Sequence, residues 1–113
     1  MVKQGDIILM NFNPQSGREQ AGKRPALVVS NESFWLATGR RFAMMCPITS
    51  TVRNLPLHIP LDSASKTTGF VMCEQVKVLD IKSRGYKKVD EISDAVLDDV
   101  LSIIADISTR EKT

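Results

Sequence analysis

At 113 residues, 42% hydrophobic and 25% charged, the chain has the size and balance of one compact domain over 1–113 that can bury its own core without staples. No apolar run approaches the roughly 20 residues of a membrane-crossing helix, and the stretch from Met1 to Asp6 has no signal-peptide core, so a cytoplasmic protein with no membrane partner is expected. The net charge is only +2, yet residues 1–89 hold 13 Lys/Arg against 6 Asp/Glu and residues 90–113 hold 2 against 7, a split that suits either a polyanionic partner or a plain acidic helix face at the end of the chain.

The first strand is expected over Asp6 to Phe12, with the apolar run Ile7-Ile8-Leu9-Met10. Asn13-Pro14-Gln15-Ser16-Gly17 signals a turn, and a polar loop runs on to Arg24. Pro25 biases Arg24 toward an extended backbone, and Ala26 to Ser30 reads as a second strand. Residues 31–41 are read as a connection. Phe42 to Thr49 is a third strand, in which Pro47 argues for an edge, a bulge or a strand end. Leu57-His58-Ile59 is a short strand whose alternation puts His58 on the face opposite Leu57 and Ile59.

Thr67-Thr68-Gly69 signals another turn. Phe70 to Ile81 is the longest strand signal, with Phe70, Met72, Glu74, Val76 and Val78 on one face. Glu74 is then a lone carboxylate in an apolar row, suited to a structural hydrogen bond (an arginine such as Arg24 is a candidate partner) or to acid–base work. Residues 82–88 carry Lys82, Arg84, Lys87 and Lys88, and Val89 belongs to a last short strand. Ser93 is a suitable N-cap for a helix with Asp94 in its first turn and Ile92 placed to staple onto Leu97. Leu97, Val100, Leu101, Ile104 and Ile107 form its apolar face. Five or six antiparallel strands and one C-terminal helix give a mainly β class, a small, partly open barrel crossed by the helix.

Cys46 and Cys73 are widely separated and read as reduced core thiols rather than a disulfide. With His58 the only histidine, no metal site and no cofactor are expected, and a two-histidine ribonuclease mechanism within one chain is excluded.

Three blocks carry a resemblance. Gly5-Asp6 followed by Gly17-Arg18-Glu19-Gln20-Ala21-Gly22-Lys23-Arg24-Pro25-Ala26-Leu27-Val28-Val29 is the most specific; Cys46-Pro47-Ile48-Thr49-Ser50 and Glu74-Gln75-Val76-Lys77 follow in order. Together they resemble the MazF/PemK family of toxins. The resemblance implies an SH3-like CcdB/PemK-type barrel, a homodimer, and metal-independent cleavage of single-stranded RNA at short sequences. It also implies arrest of translation and growth in a type II toxin–antitoxin system, controlled by a MazE-like antitoxin. It places Arg24 and Thr49 at the scissile phosphate and puts Glu19 and Gln20 on the family's Glu-Gln pair. Arg18 stands where many members carry serine, a departure that bears on sequence preference.

The chemistry of these residue types fits. Cleavage without a metal uses the neighbouring 2′-hydroxyl and leaves a 2′,3′-cyclic phosphate and a 5′-hydroxyl, through a doubly negative phosphorane. A guanidinium matches phosphate oxygens, so Arg24 is assigned to electrostatic stabilisation; its pKa makes it a poor base. Thr49 can donate to a phosphate oxygen or orient the 2′-hydroxyl. Glu19 is the more plausible base by inventory. Arg18, Gln20, Lys23, Ser50 and Glu74 are placed among the RNA-binding residues, with Lys23 and Ser50 flanking the two catalytic positions. Arg53 and Lys77 either touch RNA phosphates or are plain surface charge, and Gln75 either reads a base edge or faces solvent. By residue type alone, Arg24 and Thr49 are a solvated loop arginine and an ordinary strand threonine. Trp35 is the aromatic kept open for base stacking. Two other readings compete. One is a CcdB-like poison that binds gyrase, but those end in Trp-Gly-Ile and this sequence closes Arg110-Glu111-Lys112-Thr113. The other is a barrel that binds without cutting.

Overall fold

The computed structural model describes residues 2–12, 23–52 and 55–112. Arg18, Glu19, Gln20 and Arg53 lie outside them. The strands are β1 (Asp6–Asn11), β2 (Lys23–Val28), β3 (Phe42–Thr49), β4 (His58–Pro60), β5 (Phe70–Met72), β6 (Lys77–Asp80) and β7 (Tyr86–Glu91). The helices are α1 (Glu32–Ala37), α2 (Ile81–Arg84) and α3 (Asp94–Ile107). Seven strands among the described residues exceed the five or six expected.

All pairings are antiparallel, in the order β4-β5-β3-β2-β1-β7, and β6 also pairs with β3. The two ends of the sheet approach each other through the loop after β4. There the Thr67 amide donates to the Asp90 carboxylate (2.7 Å), and the Ser65 hydroxyl donates to the Glu91 carbonyl (2.7 Å). Side chains and loop backbone, rather than a strand ladder, draw these ends of the curled sheet together.

The core lies on both faces. Ile8, Met10, Ala26, Val28, Trp35, Ala43, Met45 and Ile81 pack on one face. Ile7, Leu27, Val29, Cys46, Ile48, Val71, Val96 and Val100 pack on the other, beneath α3. Successive strand residues point to opposite faces, so a strand covered on both sides reads as a continuous apolar run. That is why the first strand shows no alternation.

Four expectations need correction. Residues 31–41 contain α1, capped by Asn31, whose side chain accepts from the Phe34 amide at 3.0 Å. Trp35 on that helix is buried in the core, which removes it as a base-stacking platform. Pro47 stands inside a central strand. It pairs with Ala26 of β2, while on its other side β3 changes partner between Met45, the last residue paired with β6, and Ile48, the first paired with β5. The missing N–H of a proline costs no ladder bond at such a gap. Finally, Phe70 to Ile81 is not one strand. A 3-10 turn over Cys73–Gln75 breaks it, so Val71 and Cys73 are buried while Val78 is 48% exposed.

Candidate active site

Arg24 and Thr49 come together. A cleft of about 380 Å³ is lined by Arg24 and Pro25 of β2, Ile48 and Thr49 at the end of β3, Ser50, Thr51 and Thr68. Arg24 stands opposite Met10 in the β1–β2 ladder, and Pro25 opposite Leu9. The β2–β3 pairing begins only at Ala26, so Arg24 and Pro25 have a strand neighbour on one side alone. The exposed Arg24 side chain is therefore carried on backbone that is anchored on one flank and open on the other.

Thr49 is held from two directions. Its hydroxyl oxygen accepts the Thr51 amide proton at 3.1 Å. An oxygen occupied as acceptor leaves the hydroxyl proton free to donate into the cleft. Behind it, β3 pairs with Phe70, and Gly69 packs against the Thr49 main chain. Gly69 has a φ of +127, and a Cβ there would meet the Thr49 carbonyl oxygen at 2.4 Å. No side chain can be added unless the turn or Thr49 shifts, so both the space and the φ call for glycine. Thr51, Thr68 and Gly69 were missed from the sequence, where Thr67-Thr68-Gly69 reads only as a turn. The positive φ of a turn glycine was the available signal.

The other candidates are distributed. Ser50 lines the cleft. Lys23, one residue before Arg24, lines a different cavity with Arg84 and Lys87. Glu74 and Gln75 lie on the 3-10 turn and Lys77 on β6, outside the residues that form the cleft wall. Lys77 Nζ sits 5.4 Å from the Phe12 ring centre.

Glu74 finds a partner, but not an arginine. His58 Nε2 lies 3.0 Å from Glu74 Oε2, and the His58 side chain is almost wholly buried. Leu57 is exposed, so His58 rather than Leu57 points inward, while Ile59 is half-buried against the core. The carboxylate explains the inversion, since it satisfies one nitrogen of a buried imidazole. Partial burial pushes the Glu74 carboxyl up, but the hydrogen bond from His58 and the turn's own amide outweigh it and hold it below its ordinary value. Such a carboxylate is a weaker base than a free one, which favours a structural role.

Cys46 and Cys73 are both buried and free. Burial pushes the Cys46 thiol up to about 12 and the Cys73 thiol up to about 11, with further repulsion from Glu74 in each case. Both are inert thiols at neutral pH. Among the described residues, no three His, Cys, Asp or Glu side chains come together as a metal cage, and no helix is long and apolar enough to cross a membrane.

Known proteins share this architecture. The Deinococcus radiodurans MazF crystal structure superposes with a TM-score of 0.79 at 31% identity over 94% of each chain. A MazE–MazF crystal structure from the same organism gives 0.78 at 26% identity, over 94% of this chain and 93% of that one. In sequence, the chain is 32% identical over 112 residues to the Escherichia coli endoribonuclease PemK, covering 96% of this chain and 83% of the relative. The model of the PemK-like, MazF-like toxins of type II toxin–antitoxin systems matches residues 3–108, and the chain belongs to that family.

Proposed function

We propose that the 113 residues act as one domain, the endoribonuclease toxin of a type II toxin–antitoxin pair, cutting single-stranded RNA in the cytoplasm without a metal and so arresting translation and growth. The observation that carries this reading is the shared cleft of Arg24 and Thr49. The family match and relatives named as endoribonucleases support it, and nothing comparable favours a gyrase poison.

The 2′-hydroxyl attacks the adjacent phosphorus, the P–O5′ bond breaks, and the products are a 2′,3′-cyclic phosphate and a 5′-hydroxyl. Arg24 neutralises the phosphorane through its fork of donors. Thr49, its oxygen already engaged by the Thr51 amide, donates to a phosphate oxygen. Glu19 takes the 2′-hydroxyl proton, and the departing 5′-oxygen takes a proton from water. Ser50 adds a donor beside Thr49, while Arg18, Gln20, Lys23, Arg53, Gln75 and Lys77 contact bases or phosphates. Glu74 keeps the 73–75 turn in place through His58 and so positions Gln75.

The toxin works as a homodimer held by a MazE-like antitoxin when inactive. Solved relatives include MazE–MazF complexes, which supports the antitoxin. An apolar cleft of about 310 Å³ between α1, β3, β6 and α3, lined by Phe34, Met44, Val78 and Leu101, supports a second copy as its cover.

Purified protein incubated with single-stranded RNA in excess EDTA tests the mechanism. Cleavage leaving 5′-hydroxyl ends, mapped on the fragments, is expected. Cutting that requires added Mg²⁺, or that leaves 5′-phosphates, overturns it.

A further inference from the structure

A second cavity lies apart from the Arg24 cleft. It measures about 400 Å³ and lies where β1 ends, β2 begins, and α2 turns into β7. Lys23, Arg84 and Lys87 line it with Asn11, Ser83 and Tyr86, and among the described residues no carboxylate lines it. Like charges brought together in a cavity repel unless an anion joins them.

The cations are available for one. Arg84 Nη1 donates to the Phe12 carbonyl at 2.9 Å and the Asn11 carbonyl at 3.4 Å. Those bonds fix the guanidinium, and among the described residues its remaining N–H groups have no other partner. Lys87 has no ion pair among the described residues, whereas its neighbour Lys88 is engaged by Asp6 (3.3 Å) and Glu91 (3.2 Å). The carboxylates flanking the run are engaged elsewhere: Asp80 by Arg41 Nε at 2.8 Å and by the Ser83 amide, and Asp90 by the Thr67 amide at 2.7 Å. Of the basic run 82–88, Arg84 and Lys87 therefore keep charge to offer.

We propose that this cavity binds a backbone phosphate of the single-stranded RNA, outside the cleaved step. The inference rests on the ribonuclease reading above. RNA is favoured over an acidic peptide because the two cavities meet on consecutive residues: Lys23 lines this one and Arg24 the cleavage cleft. Consecutive strand residues rise only about 3.3 Å and face opposite ways. A continuous polyanion leaving Arg24 meets Lys23 on rounding the start of β2. Lys77 extends the same basic surface, since Phe12 bears the Lys77 ammonium on its ring and the Arg84 guanidinium on its carbonyl.

The test uses full-length protein and two RNAs built around one mapped cleavage site. One is trimmed to the cleaved step and its immediate neighbours; the other is extended by single-stranded nucleotides on both sides. Wild-type cleavage of the extended RNA comes first, and its failure counts against the ribonuclease reading itself. Given that cleavage, kcat/KM is measured against salt for wild type, Lys87→Gln and Lys87→Arg. On the extended RNA, Lys87→Gln is expected to flatten the log–log salt slope by about 0.7, roughly fivefold in salt response over a decade, with Lys87→Arg restoring it and the trimmed RNA unaffected. An unchanged slope on the extended RNA overturns the proposal. So does equal loss on both RNAs, and so does a defect seen only in binding poly-glutamate, which assigns the cavity to an acidic peptide.

Discussion

A methyl group at position 69 would stand 2.4 Å from the Thr49 carbonyl oxygen, on backbone already held at a φ of +127. Gly69→Ala is therefore expected to cost about 1–3 kcal/mol of stability and to slow RNA cleavage by displacing Thr49. Thermal unfolding and a cleavage time course check it; wild-type values in both would show that the turn relaxes without moving the threonine. At this scale the sequence was a good guide to chemistry and a poor guide to partners. Arg24, Thr49 and Ser50 could be picked out and do share a cleft. Thr68 completes its wall from a segment 19 positions beyond Thr49, a closeness that arises only when β5 pairs with β3. The His58–Glu74 contact was hidden for a similar reason, because alternation says which face a residue takes but not what waits there.

Helix α3 was legible from its cap. The Ser93 hydroxyl accepts from the Val96 amide at 3.2 Å, and the helix starts at Asp94 as its sequence predicts. Its buried face keeps Val100, Leu101 and Ile104 as expected and adds Val96 and Ile103, while Ile107 is 53% exposed. Periodicity gives the stripe but not where the sheet beneath it stops. Val100→Ala is accordingly expected to cost about 2 kcal/mol and Ile107→Ala less than about 0.5 in the isolated protomer, measured by urea unfolding. Equal costs would return Ile107 to the core. The break in the Phe70–Ile81 run escaped notice because Cys73-Glu74-Gln75 contains no glycine or proline to announce it.

For the molecule as a whole, the mainly β class and the C-terminal helix follow from short β-rich runs and one amphipathic stretch. The count of strands does not, because β5 and β6 each pair with a different half of β3 and read as one segment. The apolar cleft by Val78, with Phe42 and Leu36 also exposed, is the surface on which the proposed second copy would sit. Val78→Asp is expected to shift the sedimentation coefficient from dimer to monomer, since a carboxylate in a dry interface is costly unless paired. An unchanged dimer would place the interface elsewhere.

The central claim is that Arg24 and Thr49 act on the same phosphodiester. Single-turnover cleavage by Arg24→Ala, Thr49→Val and the double variant, each verified as folded, tests it most directly. Arg24→Ala should lose at least about a hundredfold, and the double variant should lose far less than the product of the single losses, because groups serving one transition state are not independent. Near-wild-type cutting by Arg24→Ala, or losses that simply multiply, would contradict it.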